Sequence, residues 1–310
     1  MPEYRVAHLV ALLRDAAMST TYKPALLKAL VRVCQRRHST NIPLTELGHE
    51  FAKMYWSQTV VYHLRQAAVL SKEAEVVRRV RDLASRYNVR KFRDLPADGR
   101  FELEQSMARV LAIDVLRRFH RSAPSEMPLL YAWRPRTDFI SLSQDSHGFL
   151  RDARLTLEVV ANFYWARYLE SCNRLAPRII QKVSRDGAVR TGLRKFLSIL
   201  SETSDGKCFY CESEFSSENP IAVDHFIPWT FLLEDPLWDL VPACACCNRA
   251  KSDSLPDRRY LDRLVQRNTR DLKARVGDKV SLLNGADDAL KLYDAAIAVE
   301  WPAYWSPRVS

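Results

Sequence analysis

Four of the seven cysteines form two pairs with two-residue spacing, Cys208/Cys211 and Cys244/Cys247. Each pair can turn as a knuckle and present two thiolates, and four thiolates satisfy the tetrahedral preference of Zn²⁺. The spacing therefore predicts one structural Zn²⁺ site, with Cys246 as a bystander inside the second pair. Because an odd number of cysteines cannot pair completely in disulfides, the pattern also favours a reducing compartment, which we take to be the cytoplasm.

Three polar residues lie between and just after these pairs: Asp224, His225 and Asn248. Asp224 and His225 follow an apolar, strand-like run at 221–223, and Pro228 lies three residues further on. Adjacent residues of a strand point to opposite sides, so both could serve one site only if the chain bends there. Asn248 follows the second pair directly, where a helix could begin.

The rest of the chain must supply the elements that position these residues. With 310 residues, of which 47% are hydrophobic and 27% charged, it can bury a core and is not globally disordered. Only eight glycines argue against a barrel or a Rossmann-type fold, and frequent Leu, Ala, Arg and Glu favour helix. No run approaches the ~18 apolar residues of a membrane span, and the first residues lack a signal-peptide pattern.

Apolar residues at three- and four-residue spacing predict helices along most of the chain. Thr45 is a candidate N-cap of the third of them. A segment at 129–143 alternates enough to suggest a short hairpin. The predicted helices cover 6–17, 23–37, 45–56, a mostly helical stretch at 72–93, and 151–173, 191–202, 256–276 and 287–300.

The predicted elements divide the chain into four segments. Residues 1–125 are a helical recognition or partner domain, for which a winged-helix-like arrangement is one candidate. A proline- and serine-rich boundary at 122–128 leads to a helical connecting region, 126–203. The cysteine-rich domain spans 204–256, and helices in 257–310 are expected to pack on it.

The chain carries a net charge of +10, with 47 Lys and Arg against 37 Asp and Glu. Such a balance suits a polyanionic partner, although a merely soluble basic protein is an equal alternative. Arg78, Arg79 and Arg81 belong to a basic cluster in a predicted helix and are candidates for phosphate contact. The commoner explanation of such a cluster is a solvated helix face.

The cysteine-rich stretch resembles the HNH, or ββα-metal, endonuclease superfamily. The elements of that pattern are CFYC at 208–211, DHFIP at 224–228, WDLVPA at 238–243 and CACCNRAK at 244–251. The flanks also resemble a group of bacterial HNH proteins whose helical N-terminal region contains a Tyr-Lys-Pro-Ala-Leu-Leu-like helix. The resemblance implies a mainly α protein with a small α+β, zinc-stabilised ββα-metal domain.

The resemblance also implies roles for individual residues. His225 matches the general base that activates the attacking water, and a neutral imidazole suits that task. Asp224 and Asn248 match the ligands of the catalytic divalent metal, and their oxygens suit Mg²⁺ or Mn²⁺. Lys251, one helical turn after Asn248, and the adjacent Arg249 are candidates for contact with the nucleic acid. An exposed helix lysine without such a role is an equal alternative for Lys251.

Asp239 departs from the family, which usually has Asn in this position to help hold the loop of the catalytic His. An ionised carboxylate accepts hydrogen bonds but cannot donate them as an amide does. If Asp239 lies near His225, it should favour the imidazolium form over the competent base. Weak, pH-shifted or activation-dependent cleavage would follow, whereas a tolerated replacement is the alternative.

The function that these expectations support is metal-dependent hydrolysis of DNA, in a setting such as bacterial restriction or anti-phage defence. The N-terminal region would recognise a target, a nucleotide signal or a partner protein. Two alternatives stay open: a zinc-stabilised nucleic-acid-binding module without catalysis, and an HNH enzyme that cleaves RNA.

Overall fold

The structure, a computed structural model, describes residues 2–14, 20–67, 73–120, 129–185, 192–276 and 285–307. The chain forms two compact units. The first contains Met1–Arg174 and Ile179–Gly187, and the second contains Leu175–Arg178 and Ala188–Ser310. The boundary expected at 122–128 lies outside the described residues, and the division into four segments stays a prediction.

The described part of the first unit is mainly helical. Its helices are α1 (Pro2–Arg14), α2 (Tyr22–Arg36), α3 (Leu44–Trp56), α4 (Glu75–Tyr87), α5 (Ala97–Val110), α6 (Leu116–Phe119), α7 (Gln144–Asp152), α8 (Arg154–Cys172) and α9 (Ile179–Ser184). Two π-helical turns, Ser57–Val61 and Leu111–Val115, extend α3 and α5. The helix expected at 151–173 is α8, whose start lies at Arg154 because α7 ends at Asp152.

Helix α2 lies at the centre of the first unit and packs against α3 and α8. Its Leu26, Leu27 and Leu30 are fully buried, as the apolar spacing predicts. Helices α3 and α5 approach closely at Gly48, where a Cβ atom would lie 2.6 Å from the carbonyl oxygen of Glu104. A larger residue there would push the two helices apart.

A small sheet joins distant parts of the first unit. Strand β1 (Asn41–Pro43) pairs antiparallel with β2 (Phe139–Ser141). Ala132 forms a bridge to Ser141, so the short hairpin expected at 129–143 is present. Thr45 is not the N-cap of α3, because the helix begins one residue earlier and the Leu44 amide donates to the Asp138 carbonyl at 2.6 Å.

The second unit contains a ββα arrangement. Strand β3 (Ile221–His225) pairs antiparallel with β4 (Leu240–Cys244), and the short helix α12 (Ala245–Lys251) follows β4 directly. The other described helices of this unit are α10 (Leu197–Ser201), α11 (Trp229–Leu232), α13 (Arg259–Arg267), α14 (Lys273–Val276) and α15 (Gly285–Ala298). The expected fold class, mainly α with a small α+β domain around the cysteines, is confirmed.

A hydrophobic core joins the ββα region to the helices that follow it. Phe226, Phe231 and Val241 of the ββα region are fully buried in it, together with Leu264 of α13 and Tyr293 of α15. Because side chains of α13 and α15 share this core with the ββα region, these two helices hold the strands and the loop between them in a fixed arrangement. None of the described helices has the length and apolar character needed to cross a membrane.

Candidate active site and metal centre

The four predicted zinc ligands converge in the structure. The Sγ atoms of Cys208, Cys211, Cys244 and Cys247 all lie within 4.8 Å of one another. Cys211 Sγ and Cys244 Sγ are 3.9 Å apart, and a Zn–S distance of about 2.3 Å places tetrahedral ligands about 3.8 Å apart. Cys246 is exposed and outside the group, as expected. The group can therefore hold a metal ion.

Backbone and hydroxyl groups surround these sulfur atoms. The Cys244 amide donates to Cys208 Sγ at 3.3 Å, and the Cys247 amide donates to Cys244 Sγ at 3.3 Å. Burial opposes ionisation of the Cys211 thiol, but hydrogen bonds with Ser213, Cys208 and Cys247 together outweigh it and lower the pKa of that thiol to about 7. Burial and neighbouring thiols raise the pKa of Cys247. A bound divalent cation would stabilise all four as thiolates.

Asp224, near the end of β3, is held by two donors. Its Oδ2 accepts a hydrogen bond from the Tyr210 hydroxyl at 2.7 Å and lies 3.0 Å from Lys251 Nζ. Burial and the adjacent Asp224 carboxylate raise the pKa of Tyr210 well above its usual value, so the hydroxyl stays a donor. Both described contacts end on Oδ2, which leaves Oδ1 as the carboxylate oxygen that could approach a cation.

Lys251 is an internal residue rather than a surface one. Its side chain is 0% exposed, and Nζ also donates to the carbonyl oxygen of His225 at 2.6 Å. The Lys251 ammonium group thus links α12 to two consecutive residues of β3. Phosphate contact by Lys251 stays a prediction. To reach a phosphate, the buried ammonium group would have to leave its two acceptors. Arg249 is exposed.

Asn248 lies one helical turn before Lys251 on α12. Residues three apart share a helix face, so the contact of Lys251 with β3 indicates that Asn248 faces the same strand end. Asn248 is half-buried, and none of the described residues donates to or accepts from its side-chain amide. The donor set of one carboxylate oxygen and one amide oxygen fits Mg²⁺ or Mn²⁺.

His225 is the last residue of β3, and the chain bends immediately after it. The His225 ring is 4% exposed, and its Nε2 lies 2.9 Å from Asp235 Oδ1. Asp235 belongs to the loop between α11 and β4. Asp235 is not among the sequence-predicted site residues, although the acidic pair Glu234-Asp235 before Pro236 is a visible signal.

Asp239 directly precedes β4 and is fully buried. None of its described contacts is with the His225 ring. Its Oδ1 accepts from the Ile227 amide at 2.8 Å, and its backbone carbonyl accepts from the Phe226 amide at 2.8 Å. It therefore holds the bend that follows His225. Burial raises the pKa of Asp239 well above its usual value and so favours the neutral form. A neutral Asp239 would not stabilise a His225 imidazolium, so this environment does not favour the effect expected of an ionised Asp239.

Arg267 of α13 is a second residue that the sequence analysis did not identify. Its guanidinium donates to the carbonyl oxygens of Leu240 at 2.9 Å and Trp238 at 3.2 Å, on either side of Asp239. Burial lowers the pKa of Arg267 to about 10. Arg267 follows the core residue Leu264 by three positions, which indicates only that it lies on the inward face of α13. No local pattern predicted its contacts on either side of Asp239.

The basic cluster of the first unit is exposed and ion-paired. Arg78 and Arg79 of α4 both pair with Glu75, and Arg81 pairs with Glu73. The Arg79–Glu75 distance is 2.8 Å. Phosphate contact by these arginines stays a prediction, and it would require them to exchange a carboxylate for a phosphate.

Comparison with known proteins gives one match. A family model described as HNH endonuclease matches residues 208–257. No curated protein and no solved structure matches the chain. The matched segment contains both cysteine pairs, β3, β4 and α12. Over residues 208–257, the chain is therefore similar to HNH endonucleases.

Proposed function

We propose that this protein is a metal-dependent HNH endonuclease that hydrolyses phosphodiester bonds of DNA. The observation that supports the proposal is the contact between α12 and the end of β3, where Lys251 meets the Asp224 carboxylate and the His225 carbonyl oxygen. We infer that Asn248, one turn earlier on α12, lies near the same strand end. The four-cysteine group, proposed to hold structural Zn²⁺, would then join the first knuckle to the start of α12. A nucleic-acid-binding module without catalysis would not need this polar arrangement.

Each residue of the proposed site has a distinct task. His225 removes a proton from the attacking water, and Asp224 and Asn248 hold a catalytic Mg²⁺ or Mn²⁺. When bound, this ion stabilises charge on the scissile phosphate and on the leaving 3′ oxygen. Tyr210 and Lys251 keep the Asp224 carboxylate oriented through its Oδ2. Asp239 keeps the bend after His225 by accepting from the Ile227 amide.

Cleavage assays with purified protein test this proposal directly. Plasmid DNA and a structured RNA are each incubated with Mg²⁺, with Mn²⁺ and with EDTA. We expect DNA cleavage that requires the metal, yielding 5′-phosphate and 3′-hydroxyl ends. Preferential cleavage of RNA would replace the substrate, and binding without cleavage under every metal condition would overturn the enzyme proposal.

His225→Ala separates catalysis from binding. We expect this variant to lose cleavage by about 10²-fold or more, because a positioned general base contributes that much. DNA affinity should stay near wild type. The unfolding midpoint should fall but stay well above the assay temperature, because the variant removes an enclosed ring and its hydrogen bond to Asp235. Retained cleavage would show that another group takes the proton.

The biological setting that we propose is bacterial restriction or anti-phage defence, with the helical unit recognising DNA, a nucleotide signal or a partner protein. Support for the setting is the association of a nuclease domain with a separate helical unit. Cells expressing the wild-type protein should restrict phage growth relative to cells expressing His225→Ala. Equal phage titres across a broad panel would contradict the setting without affecting the enzymatic proposal.

A further inference from the structure

The hydrogen bond between the His225 ring and Asp235 constrains which ring nitrogen carries the proton. Nε2 lies 2.9 Å from Asp235 Oδ1, and the ring is almost completely enclosed. An ionised carboxylate can only accept hydrogen bonds, so Nε2 must be the donor in this pair. A neutral imidazole with Nε2–H has its lone pair on Nδ1.

We propose that Asp235 is a positioning residue for His225. It fixes the ring orientation and the Nε2–H tautomer, so that Nδ1 is the nitrogen that receives the proton from water. This inference rests on the proposed nuclease function and names a residue that the family match does not single out. Orientation by a hydrogen-bonded carboxylate is a general way to prepare an imidazole for proton transfer.

The loop that carries Asp235 is well defined by its own contacts. Helix α11 ends at Leu232. The next residue, Leu233, adopts a left-handed conformation (φ 56°) and donates its amide to the Trp229 carbonyl at 2.6 Å. Glu234 forms an ion pair with Arg178. Pro236 restricts the backbone of the preceding Asp235 to extended conformations. The carboxylate is therefore presented from a constrained segment.

The backbone of His225 is held independently of Asp235. It pairs with Leu240 of β4, and its carbonyl oxygen accepts from Lys251 Nζ at 2.6 Å. The strand therefore stays in place without Asp235, and the ring is what Asp235 controls. Replacement of Asp235 should change the orientation and tautomer of the His225 ring and leave the fold intact.

In the proposed hydrolysis, one O–H bond of water breaks and its proton goes to Nδ1, while the new oxygen–phosphorus bond forms. The bond between phosphorus and the 3′ oxygen breaks, and the leaving oxygen takes a proton from solvent. Nε2–H remains on the ring throughout, and the resulting imidazolium donates to the ionised Asp235 until Nδ1 returns its proton to solvent.

The first test measures the tautomer by nitrogen-15 NMR of histidine-labelled full-length protein, with the His225 signals assigned by their loss in His225→Gln. The spectra are compared at a pH where the ring is neutral. We expect wild-type His225 to be Nε2–H alone. Asp235→Asn should show a measurable Nδ1–H population, because a carboxamide can donate to Nε2 as well as accept from it. Nδ1–H in the wild type, or identical tautomers in both proteins, would overturn the proposal.

The second test measures cleavage kinetics of Asp235→Asn and Asp235→Ala with Mg²⁺. We expect kcat to fall by about 10- to 100-fold with KM unchanged, as for other groups that orient a reacting residue. Glu218→Gln, which removes the same charge from an exposed residue with no part in the proposed site, should keep the wild-type kcat. Wild-type kcat in both Asp235 variants would refute the positioning role alone. Absence of cleavage in the wild type would instead refute the proposed function, while the NMR comparison would still test the contact.

Discussion

At the scale of single residues, the Asp224 carboxylate depends on one buried cation. Lys251 Nζ lies 3.0 Å from Asp224 Oδ2, and both side chains are almost fully enclosed. Removing one partner of a buried ion pair leaves an uncompensated charge in a low-dielectric environment. Lys251 is therefore expected to matter for folding before it matters for substrate contact.

Lys251→Met should lower the free energy of unfolding by about 3–5 kcal/mol, the usual cost of leaving a buried charge unpaired. Urea unfolding measures the change. The exposed neighbour provides the control, since Arg249→Met should leave the stability near wild type. The double variant Lys251→Met/Asp224→Asn should recover part of the loss, and equal stability of the single and double variants would contradict the ion-pair explanation.

The burial of Asp239 is expected to make the stability of the protein depend on pH. Burial raises its pKa, so the folded protein holds this proton more tightly than the unfolded chain. Its contribution to stability is therefore complete below the unfolded pKa of about 3.9 and is lost as pH rises through the folded pKa. Asp239→Asn removes this loss, so the variant should gain stability relative to wild type as pH rises from about 4.

Parallel urea unfolding of Asp239→Asn and wild type between mildly acidic and mildly alkaline pH measures this difference. Contributions of the cysteine site are common to both proteins and cancel. Cleavage by Asp239→Asn at neutral pH is expected to be maintained or raised, because an amide can still accept from the Ile227 amide. A stability difference that is independent of pH would contradict the protonation argument, and a large loss of cleavage would show that the carboxyl group itself is used.

At the scale of elements, the two cysteine knuckles join segments that are distant in the chain. The Phe209 amide donates to the Pro242 carbonyl at 2.9 Å, so the first knuckle lies against β4, and Cys244 caps α12 by accepting from the Cys247 amide. A metal ion held by both knuckles would fix β4, α12 and the first knuckle together, and its binding energy would become folding energy.

Cys208→Ser is therefore expected to lose bound zinc and to lower the unfolding temperature of the second unit. Metal analysis of the purified protein and thermal unfolding provide the measurements. Cys246→Ser is the matched control, because Cys246 is exposed and lies outside the group. Equal zinc content in the two variants would show that the ion is bound elsewhere.

At the scale of the whole molecule, the positive charge is concentrated in one part of the chain. Residues 1–187 contain 31 Lys and Arg against 19 Asp and Glu, whereas residues 188–310 contain 16 against 18. The segment with the nuclease domain is thus not basic by itself. Since charge neutralisation dominates non-specific affinity for nucleic acid, the helical unit is the part expected to supply it.

The ion pairs on α4 allow this expectation to be tested. If Arg78, Arg79 and Arg81 contact phosphate, Glu73→Gln/Glu75→Gln should raise DNA affinity and steepen its salt dependence, because the arginines no longer exchange one anion for another. Asp152→Asn/Glu170→Gln changes the net charge equally and is the control. Equal increases in both double variants would indicate a general charge effect and no specific role for these arginines.

The sequence by itself determined what depends on local spacing. Two Cys-x-x-Cys pairs predicted the sulfur cluster, and apolar periodicity predicted the main helices, because both follow from residues a few positions apart. The tertiary structure decided what depends on packing between distant segments. It placed Asp235 on the His225 ring and made Lys251 an internal cation. It also buried Asp239, because shared core contacts, which no local pattern encodes, set which polar side chains lose water and which partners they meet.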